Sequence, residues 1–351
     1  MNGIIRIDGG ALSSPYHLGT YTVTREILQA LGQYDHINRY VVYTQKKASK
    51  LPPHYPHLSY QSLPFTRGWN TIGIPLQELL AYWRKGGLYL ALNHAVPPYT
   101  AAPVISLCHG LSFHAHPDAY PQSHGSKRLE ALTRAMIARS SHILVSSIKV
   151  SQELQDWYGV PSSHISSIPF GIPHGFTPSK RYKPKKILLW VGSLHPIKQL
   201  DLALSSFSLL RQKKEYRQYK LVLIGVPQQT RLPDSVMALG HVGDKDDLHK
   251  MYCEAAALLV TSRYESFHFP TLESLACGTP VVSVQSACIP ELAPYVTTVD
   301  TDPEALAYQL AQVIRHLPVV DYQTLKKQFS WKSYSSALMR LYRTYGDTVA
   351  S

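Results

Sequence analysis

The sequence is short of cysteine, of long apolar runs and of acidic residues, and each shortage excludes a class of protein. Its 351 residues include four cysteines, none of them in a Cys-x-x-Cys pair, which argues against a disulfide framework or a structural zinc site. No uninterrupted apolar run approaches the roughly 20 residues that span a bilayer. The opening MNGIIRIDGG lacks the charged and apolar regions of a signal peptide. We therefore expect a cytoplasmic protein whose cysteines act as small buried hydrophobic residues.

Because 35 Lys and Arg residues outnumber 23 Asp and Glu residues, the formal net charge is +12 at pH 7. The excess of Lys and Arg is spread over both halves of the chain and is not concentrated in a tail. Such a charge suits a protein that handles diphosphates, anionic lipid or a membrane surface. The sequence carries no helix-turn-helix, RNA-recognition or zinc-finger signature. We expect no nucleic-acid partner, and we leave open a peripheral contact with the inner face of a membrane.

Hydrophobic residues make up 44% of the chain and charged residues 17%, which is a globular composition. Short β-branched runs that end in Gly or Ser alternate with longer amphipathic stretches. The runs predicted as strands are Ile4–Ile7, Tyr40–Thr44, Leu88–Leu92, Val104–Cys108, His142–Ser146, Ile165–Pro169, Ile187–Gly192, Leu221–Gly225, Ala257–Thr261 and Pro280–Val284. The stretches predicted as helices are Tyr21–Leu31, Arg128–Arg139, Leu200–Arg211 and Asp246–Ala256. This alternation implies an α/β protein with parallel sheets and helices on both faces.

The strand series restarts near Lys186, after the Pro- and Lys-rich residues 173–186, which we interpret as an interdomain linker. The economical architecture is two Rossmann-like, doubly wound domains with a central cleft, residues 1–172 and 173–330. Residues 46–70 are rich in Pro, aromatic and basic residues and are predicted to be a long loop. Two interpretations of this loop remain open: it is an irregular surface connection, or it faces an acceptor or a membrane.

The segment with the strongest chemical signal is SRYESFHFPTLESLACGTPVVS, residues 262–283. Pro270 is well placed to open a helix that ends before Gly278. Glu273 would then lie in the first turn, where the helix dipole favours a phosphate and a carboxylate can accept hydrogen bonds from ribose hydroxyls. Glu265 would lie in the loop after a strand, at the carboxyl edge where such sheets bind ligands. The alternative is that Glu273 only caps the helix and Glu265 is solvated.

This segment resembles the E-G-F-G-x-P-x-x-E-A-x-A-C-G-x-P-V-V signature of retaining glycosyltransferases with the GT-B fold, in the group 1 branch that includes many bacterial mannosyl- and glucosyltransferases. Glu265 and Glu273 match its two glutamates at the family spacing. QSACIPEL is similar to the S-x-x-P-E segment, and VGSLHPIKQL to the V-G-x-L-x-P-x-K-N segment. LGTYTVTREILQAL and VISLCHGLSF resemble N-terminal elements of the family. FSWKSYSSALMRLYRTY is similar to the closing helix, about residues 331–351, which in that fold joins the first domain.

The resemblance implies a role for each matched residue. Lys198 would bind the donor phosphates and stabilise the charge that builds on the leaving nucleoside diphosphate. Glu273 would hold the ribose, Glu265 the hydroxyls of the transferred sugar, and His109 would position that sugar. The implied catalytic residues are His109, Lys198 and Glu265, and the implied donor-binding residues are Gly19, Gly192, Ser193, Val242, His268, Phe269 and Glu273. Neither a cofactor nor a bound metal ion is implied.

Several positions depart from the family pattern. The basic residue that usually precedes Lys198, or stands at position 193, is replaced by Ile197 and Ser193. Ser266 and His268 replace small glycines, and Gly110 stands where an aspartate usually follows the histidine. Two interpretations remain open: His268 or an unmatched Lys or Arg supplies the missing charge, or the enzyme is slow or inactive.

The resulting hypothesis is the transfer of a hexose from a nucleotide-diphosphate sugar to a glycan or a lipid-linked acceptor, with retention and without a divalent cation. We favour mannose from GDP-mannose over a UDP-sugar, because the motif style resembles that of mannosyltransferases. The alternatives are a non-catalytic protein that binds nucleotide sugars and a nucleotide-sugar epimerase. A metal site formed by Cys108, His109, His114 and His116 is disfavoured, because their spacing fits no known zinc pattern.

Overall fold

The computed structural model describes residues 4–13, 19–45, 51–81, 87–120 and 125–346. The chain forms two compact units. The first contains residues 1–114, 121–171 and 330–351, and the second contains residues 115–120 and 172–329. The sequence-based division kept residues 115–120 in the first domain. They belong to the second unit because Ala119 packs with Ile197 and Tyr264 in a small buried cluster.

The first unit is built on a seven-stranded parallel sheet in the order β3-β2-β1-β4-β5-β6-β7. The inner strands are buried on both faces, as parallel sheets covered by helices require. Its strands are β1 (Ile4–Asp8), β2 (Arg39–Gln45), β3 (Leu58–Leu63), β4 (Leu88–Ala91), β5 (Val104–Cys108), β6 (His142–Val145) and β7 (Ile165–Ser167). Its helices are α1 (Gly19–Tyr34), α2 (Ile74–Ala81), α3 (Ser112–Ala115, which reaches into the second unit), α4 (Gly125–Arg139), α5 (Ile148–Tyr158) and α11 (Trp331–Gly346).

The second unit is built on a six-stranded parallel sheet in the order β10-β9-β8-β11-β12-β13. Its strands are β8 (Ile187–Val191), β9 (Lys220–Ile224), β10 (Val236–Ala238), β11 (Ala257–Val260), β12 (Val281–Val284) and β13 (Thr297–Val299). Its helices are α6 (Leu200–Gln212), α7 (Lys245–Glu254), α8 (Phe269–Ala276), α9 (Pro303–Arg315) and α10 (Tyr322–Gln328). In each sheet the strand that comes first along the chain, β1 or β8, lies in the interior. The next strands of the chain extend the sheet to one side of it and the later strands extend it to the other side, so the strand order reverses beside β1 and beside β8. Both units are therefore doubly wound.

All ten predicted strands and the four predicted helices are present, with ends that shift by a few residues. The strands that the sequence did not reveal are β3, β10 and β13, all of them short or at an edge of a sheet. The prediction that residues 46–70 form a loop is wrong for Leu58–Leu63, which pair with β2 over six residues. Residues 46–50 of that stretch lie outside the described residues.

Residues 173–186, predicted to be a linker, pack on the second unit. The Phe176 side chain is buried in its core. The ammonium of Lys185 lies 2.8 Å from Glu254 at the end of α7, and Lys245 donates a hydrogen bond to the carbonyl of His174. Pro and Lys are common in flexible linkers, but here two aromatic residues, the buried Phe176 and the partly buried Tyr182 that packs against the same core, anchor the segment.

Helix α11 packs against α1 within the first unit. The Tyr342 ring contacts that of Tyr40, and the Tyr345 hydroxyl lies 2.8 Å from Nδ1 of His142. Among the described residues, no helix has both the length and the apolar character that crossing a membrane requires.

Candidate functional site

The loops that carry the matched motifs follow two neighbouring strands of the second unit. Strand β8 lies between β9 and β11, so the strand order reverses between β8 and β11. Gly192 to Gln199 follow β8, and Thr261 to His268 follow β11. Because the carboxyl ends of parallel strands meet at one edge, both loops reach the switch point of this sheet, where doubly wound folds bind ligands.

Lys198 lies in a single 3₁₀ turn, Pro196–Lys198, that the loop after β11 holds in place. The backbone N–H of Arg263 donates to the carbonyl of Ile197 at 2.8 Å. The Thr261 hydroxyl lies 2.8 and 3.0 Å from the carbonyl oxygens of Lys198 and Gln199, and Trp190 donates to the same hydroxyl oxygen at 3.0 Å. Gln199 has a φ of 47°, a left-handed conformation that this hydrogen bonding stabilises.

Lys198 and Glu265 form a charged pair at the centre of this site. The Lys198 ammonium lies 2.6 Å from Oε1 of Glu265, whose side chain is 9% exposed. Burial raises the pKa of a carboxyl, but the positive charge of Lys198, the His268 ring and hydrogen bonds from Lys198 and Ser262 outweigh it and hold the pKa of Glu265 below its usual value. Glu265 is therefore ionised at neutral pH, and the idea that it is a solvated loop residue is excluded by its burial.

His268 is a buried, neutral histidine. Its Nδ1 lies 2.8 Å from the Thr271 hydroxyl, and its Nε2 lies 3.6 Å from Oε1 of Glu265. Burial and the positive charge of Lys198 lower the pKa of His268 to about 4, although Glu265 acts in the opposite direction. His268 is thus uncharged at neutral pH. It does not supply the cation that the family pattern places before Lys198.

This neutrality predicts a pH-dependent stability. Between pH 6.5 and 4 the unfolded chain binds a proton at His268 and the folded protein does not, so the free energy of unfolding falls as the pH is lowered through this window. The shift corresponds to about 3 kcal/mol. We expect His268→Gln to remove this part of the pH dependence in urea unfolding. His54→Gln, at an exposed loop position, serves as the control; equal slopes for all three proteins would contradict the assignment.

Glu273 projects from α8 and is fixed by α7. Its Oε2 accepts a 2.9 Å hydrogen bond from the Tyr252 hydroxyl, and its side chain is buried. The prediction that Glu273 lies in the first turn is wrong. Helix α8 begins at Phe269, with His268 as its N-cap residue, so Glu273 is the fifth helical residue. The carboxylate is therefore held by a neighbouring helix and gains less from the helix dipole, which decays within the first turn.

Two glycines let the backbone segments beside this site approach each other. The N–H of Gly192 donates to the carbonyl of Ile224 at 2.9 Å. A Cβ at Gly225, whose φ is +91°, would lie 2.5 Å from the carbonyl oxygen of Gly192. Of the other predicted donor-binding residues, Ser193 is exposed in the same loop. Val242 lies half-buried before α7, and the Phe269 side chain is buried at the start of α8.

The segment 115–120 adds contacts that sequence reasoning missed. Asp118 accepts a hydrogen bond from Arg263 at 2.5 Å, and the ring of Tyr120 lies 4.9 Å from that of His195. Arg263 belongs to the loop between β11 and Glu265. The motif alone gives no sign of a partner 145 residues away.

In the first unit, polar side chains also gather where the strand order reverses, between β1 and β4. Asp8 accepts hydrogen bonds from the N–H of Gly10 and from the Trp69 and Asn93 side chains, at 2.8 to 3.0 Å. Burial raises the pKa of Asp8 in spite of these hydrogen bonds. The Nε2 of His109 lies 2.7 Å from the carbonyl of Leu92. Sequence reasoning found His109 but missed Asp8.

His109 and Gly19 are the two predicted site residues in this unit. Burial lowers the pKa of His109, against the hydrogen bond to Leu92, so its ring is neutral at neutral pH. Gly19 is the first residue of α1, is exposed, and would accommodate a Cβ without contact. No internal contact of the described residues therefore requires a glycine there.

His114 and His116, considered as metal ligands with Cys108 and His109, have other neighbours. His114 stacks on Trp157 with ring centroids 4.6 Å apart and lies 3.6 Å from Glu130. His116 meets the edge of the Tyr264 ring. The described residues do not bring these four side chains together as a metal-binding group.

Two family models match the chain. "Glycosyltransferase Family 4" matches residues 19–176, and "Glycosyl transferases group 1" matches residues 185–316. The two matches divide between the halves of the chain and together cover most of it.

Individual proteins agree with these matches. O-antigen chain mannosyltransferase B of Escherichia coli is 22% identical over 276 residues, which cover 70% of this chain and 71% of that protein. D-inositol 3-phosphate glycosyltransferase of Acidothermus cellulolyticus is 28% identical over 43% of this chain, which spans 39% of that protein.

Solved structures share the fold at low sequence identity. Sucrose-phosphate synthase from Thermosynechococcus elongatus superposes with a TM-score of 0.71 at 18% identity, over 98% of this chain and 99% of that one. Anabaena HepE, solved in complex with UDP and glucose, superposes with a TM-score of 0.69 at 14% identity, over 98% and 100%. The expected architecture of two doubly wound Rossmann-like domains is confirmed. The chain belongs to the group 1 glycosyltransferases and has the GT-B fold.

Proposed function

We propose that the protein is a retaining glycosyltransferase that moves a hexose from a nucleotide-diphosphate sugar to a hydroxyl of a glycan or a lipid-linked acceptor. The observation that carries this proposal is the Lys198–Glu265 pair at the switch point of the second sheet. The carboxylate of this pair, Glu265, stands three residues before the N-cap of α8 and holds the Lys198 cation 2.6 Å away. A helix N-terminus favours phosphate. Peripheral contact with a membrane stays a prediction that depends on a lipid-linked acceptor.

Lys198 would stabilise the charge that develops on the leaving diphosphate. An ammonium already held by Glu265 and by a braced turn needs little reorganisation when the glycosidic bond breaks. Glu265 would hold the hydroxyls of the transferred sugar, and Glu273 would hold the ribose. In such a reaction the departing phosphate assists deprotonation of the acceptor on the same face of the sugar. The transfer then retains configuration without the carboxylate nucleophile of retaining glycosidases.

We further propose that transfer needs neither Mg²⁺ nor Mn²⁺, because Lys198 offsets the phosphate charge. Near Val242 the sequence has a D-x-D pattern, Asp244-Lys245-Asp246, but Asp244 is engaged as the N-cap of α7, where it accepts hydrogen bonds from the N–H groups of Asp246 and Asp247. Protein desalted into buffer free of these ions is expected to transfer sugar at the same rate before and after either ion is added. A rate that appears only on addition of Mn²⁺ or Mg²⁺ would show that the diphosphate site is misassigned.

The donor we propose is GDP-mannose. The identity of its base, guanine or uracil, can be tested directly by nucleotide binding. In its favour are the motif style and the similarity to an O-antigen chain mannosyltransferase. HepE, which shares the fold, binds UDP. A base pocket near Val242 should discriminate between guanine and uracil, because an unmatched buried polar group costs about 1–3 kcal/mol. Calorimetric titration is therefore expected to show GDP binding about tenfold or more tighter than UDP. The reverse preference would replace the donor and leave the glycosyltransferase proposal intact.

A second candidate is a protein that binds a nucleotide sugar without transferring it. The neutral His268 and the uncharged Ile197 favour it, because the diphosphate would meet one cation fewer than in the family pattern. Nucleoside diphosphate binding with no transfer to any hydroxyl acceptor tested would select this candidate. Release of an epimerised sugar from the donor alone would instead indicate an epimerase.

A further inference from the structure

A second cluster of reactive side chains lies in the second unit, apart from Lys198 and Glu265. His249 and Cys253 are four residues apart on α7, which places them on the same face of the helix. Cys277 is the C-cap residue of α8. The imidazole nitrogen and the two sulfur atoms all lie within 4.8 Å of one another. Two helices thus bring two thiols and an imidazole together.

The surroundings of this cluster hold its side chains in place. Both thiols are buried and His249 is half-buried. The sulfur of Cys253 lies 3.3 Å from Nε2 of His249. The rings of Phe176 and Tyr182 meet the imidazole edge-on, with centroids 6.4 and 6.2 Å away. The imidazole is therefore packed on two sides and faces the thiols.

We propose that His249, Cys253 and Cys277 bind a zinc ion. Sulfur and imidazole ligands select zinc over Mg²⁺ and Ca²⁺, which prefer oxygen. Zinc binds thiolate sulfur at about 2.3 Å and imidazole nitrogen at about 2.0 Å, so its tetrahedral ligand atoms lie about 3.5–4 Å apart. The cluster is within a small side-chain movement of that geometry. Three protein ligands leave one position of the tetrahedron for water or a carbonyl.

Binding requires a change of protonation at each ligand. Nε2 of His249 lies 2.7 Å from the carbonyl oxygen of Thr177, to which it donates a hydrogen bond in the metal-free arrangement. To bind zinc, the ring must hold its proton at Nδ1 instead. The two thiols release their protons to solvent, and two zinc–thiolate bonds form. The ion stays Zn²⁺ throughout, so no oxidant or reductant is needed.

The position of the cluster gives such an ion a structural consequence. Tyr252, the neighbour of Cys253, donates the hydrogen bond to Glu273. The N–H of Cys277 donates to the carbonyl of Glu273 at 3.0 Å, one turn along α8. An ion shared by Cys253 and Cys277 would therefore tie α7 to α8 at the level of Glu273. Because the unfolded chain offers no preformed site, zinc would also raise the melting temperature.

The experiment titrates reduced, chelator-treated protein with Co²⁺ and then with Zn²⁺. Thiolate-to-cobalt charge-transfer bands are expected to saturate at one equivalent and to disappear when zinc displaces cobalt. His249→Ala, at a half-buried position, is expected to stay folded and to bind zinc at least about tenfold more weakly. Cys253→Ser is expected to reduce the charge-transfer band. Cys288→Ser, which changes a cysteine outside the cluster, is the matched control and should behave as the parent protein.

Two results would overturn the zinc site. One is the absence of thiolate-to-cobalt bands in protein whose free thiols mass spectrometry has confirmed to be fully reduced. The other is zinc affinity that His249→Ala and Cys288→Ser leave equally unchanged. No measurement here uses sugar transfer, so the outcome is independent of the proposed function.

Discussion

Lys198→Met is expected to lower kcat/KM for sugar transfer by about 10²–10³, the usual effect of removing one preorganised group that stabilises transition-state charge. The substitution keeps an unbranched apolar side chain as far as Cε and removes the ammonium that lies 2.6 Å from Glu265. The same change leaves Glu265 buried and unpaired, which costs about 3 kcal/mol of folding free energy when a buried pair is broken. Transfer rates and urea unfolding measure the two effects separately.

Two variants separate catalysis from stability in this prediction. The double variant Lys198→Met, Glu265→Gln removes the unpaired charge and should recover most of the lost stability, while transfer stays slow. Lys185→Met breaks a pair of similar length, 2.8 Å to Glu254, whose lysine is 56% exposed. It should change stability by less than about 1 kcal/mol and should not affect transfer. If Lys198→Met transfers sugar at the parent rate, Lys198 does not bind the donor phosphates.

Glu273→Gln is expected to weaken nucleoside diphosphate binding by about ten- to a hundredfold, because a charged acceptor for hydroxyl groups becomes a neutral amide. Gln still accepts a hydrogen bond from Tyr252, so unfolding should change by no more than about 1 kcal/mol. Isothermal titration calorimetry with GDP and UDP measures the affinity.

Tyr252→Phe is the matched control for this effect. It removes the donor of the 2.9 Å hydrogen bond and keeps the carboxylate. If Glu273 binds the nucleotide itself, Tyr252→Phe should weaken binding much less than Glu273→Gln. Equal losses in both variants would mean that Glu273 acts only by joining α7 to α8.

The burial of both glutamates affects how their variants have to be tested. Replacing a polar residue on the surface usually changes stability by under about 0.5 kcal/mol. Both side chains are buried and hydrogen-bonded. Stability therefore has to be measured beside activity for every variant at these positions.

Sequence periodicity predicted the parts of this fold that have strong local signals. Inner strands such as β8 and β11 are continuous apolar runs, and the Pro270 to Gly278 signals delimited α8 to within two residues. Strands β10 and β13 have three residues each, too few for a periodic pattern. Their structure comes from pairing with β9 and β12, which no local window contains.

The site was predictable where chemistry follows from a contiguous motif, and unpredictable where it depends on distant contacts. The motif resemblance singled out Glu265, Glu273 and Lys198 as candidates, and the structure brings Lys198 and Glu265 together. The motif could not show that Tyr252 holds Glu273, or that Asp118 pairs with Arg263. The charge state of His268 depends on its burial, which a sequence does not display. The thiol and imidazole cluster likewise joins two helices whose cysteines are 24 residues apart.

The six residues 115–120 make the second unit discontinuous in sequence, which limits how the protein can be dissected. A fragment of residues 172–329 would contain the whole six-stranded sheet. It would nevertheless uncover the buried side chains of Ile197 and Tyr264 and deprive Arg263 of its carboxylate partner. Ile197 belongs to the turn that carries Lys198, and Arg263 and Tyr264 belong to the loop that carries Glu265, so both elements would lose contacts. Such a fragment is expected to regain the native arrangement of Lys198 and Glu265 only when a peptide carrying the missing residues is supplied in trans.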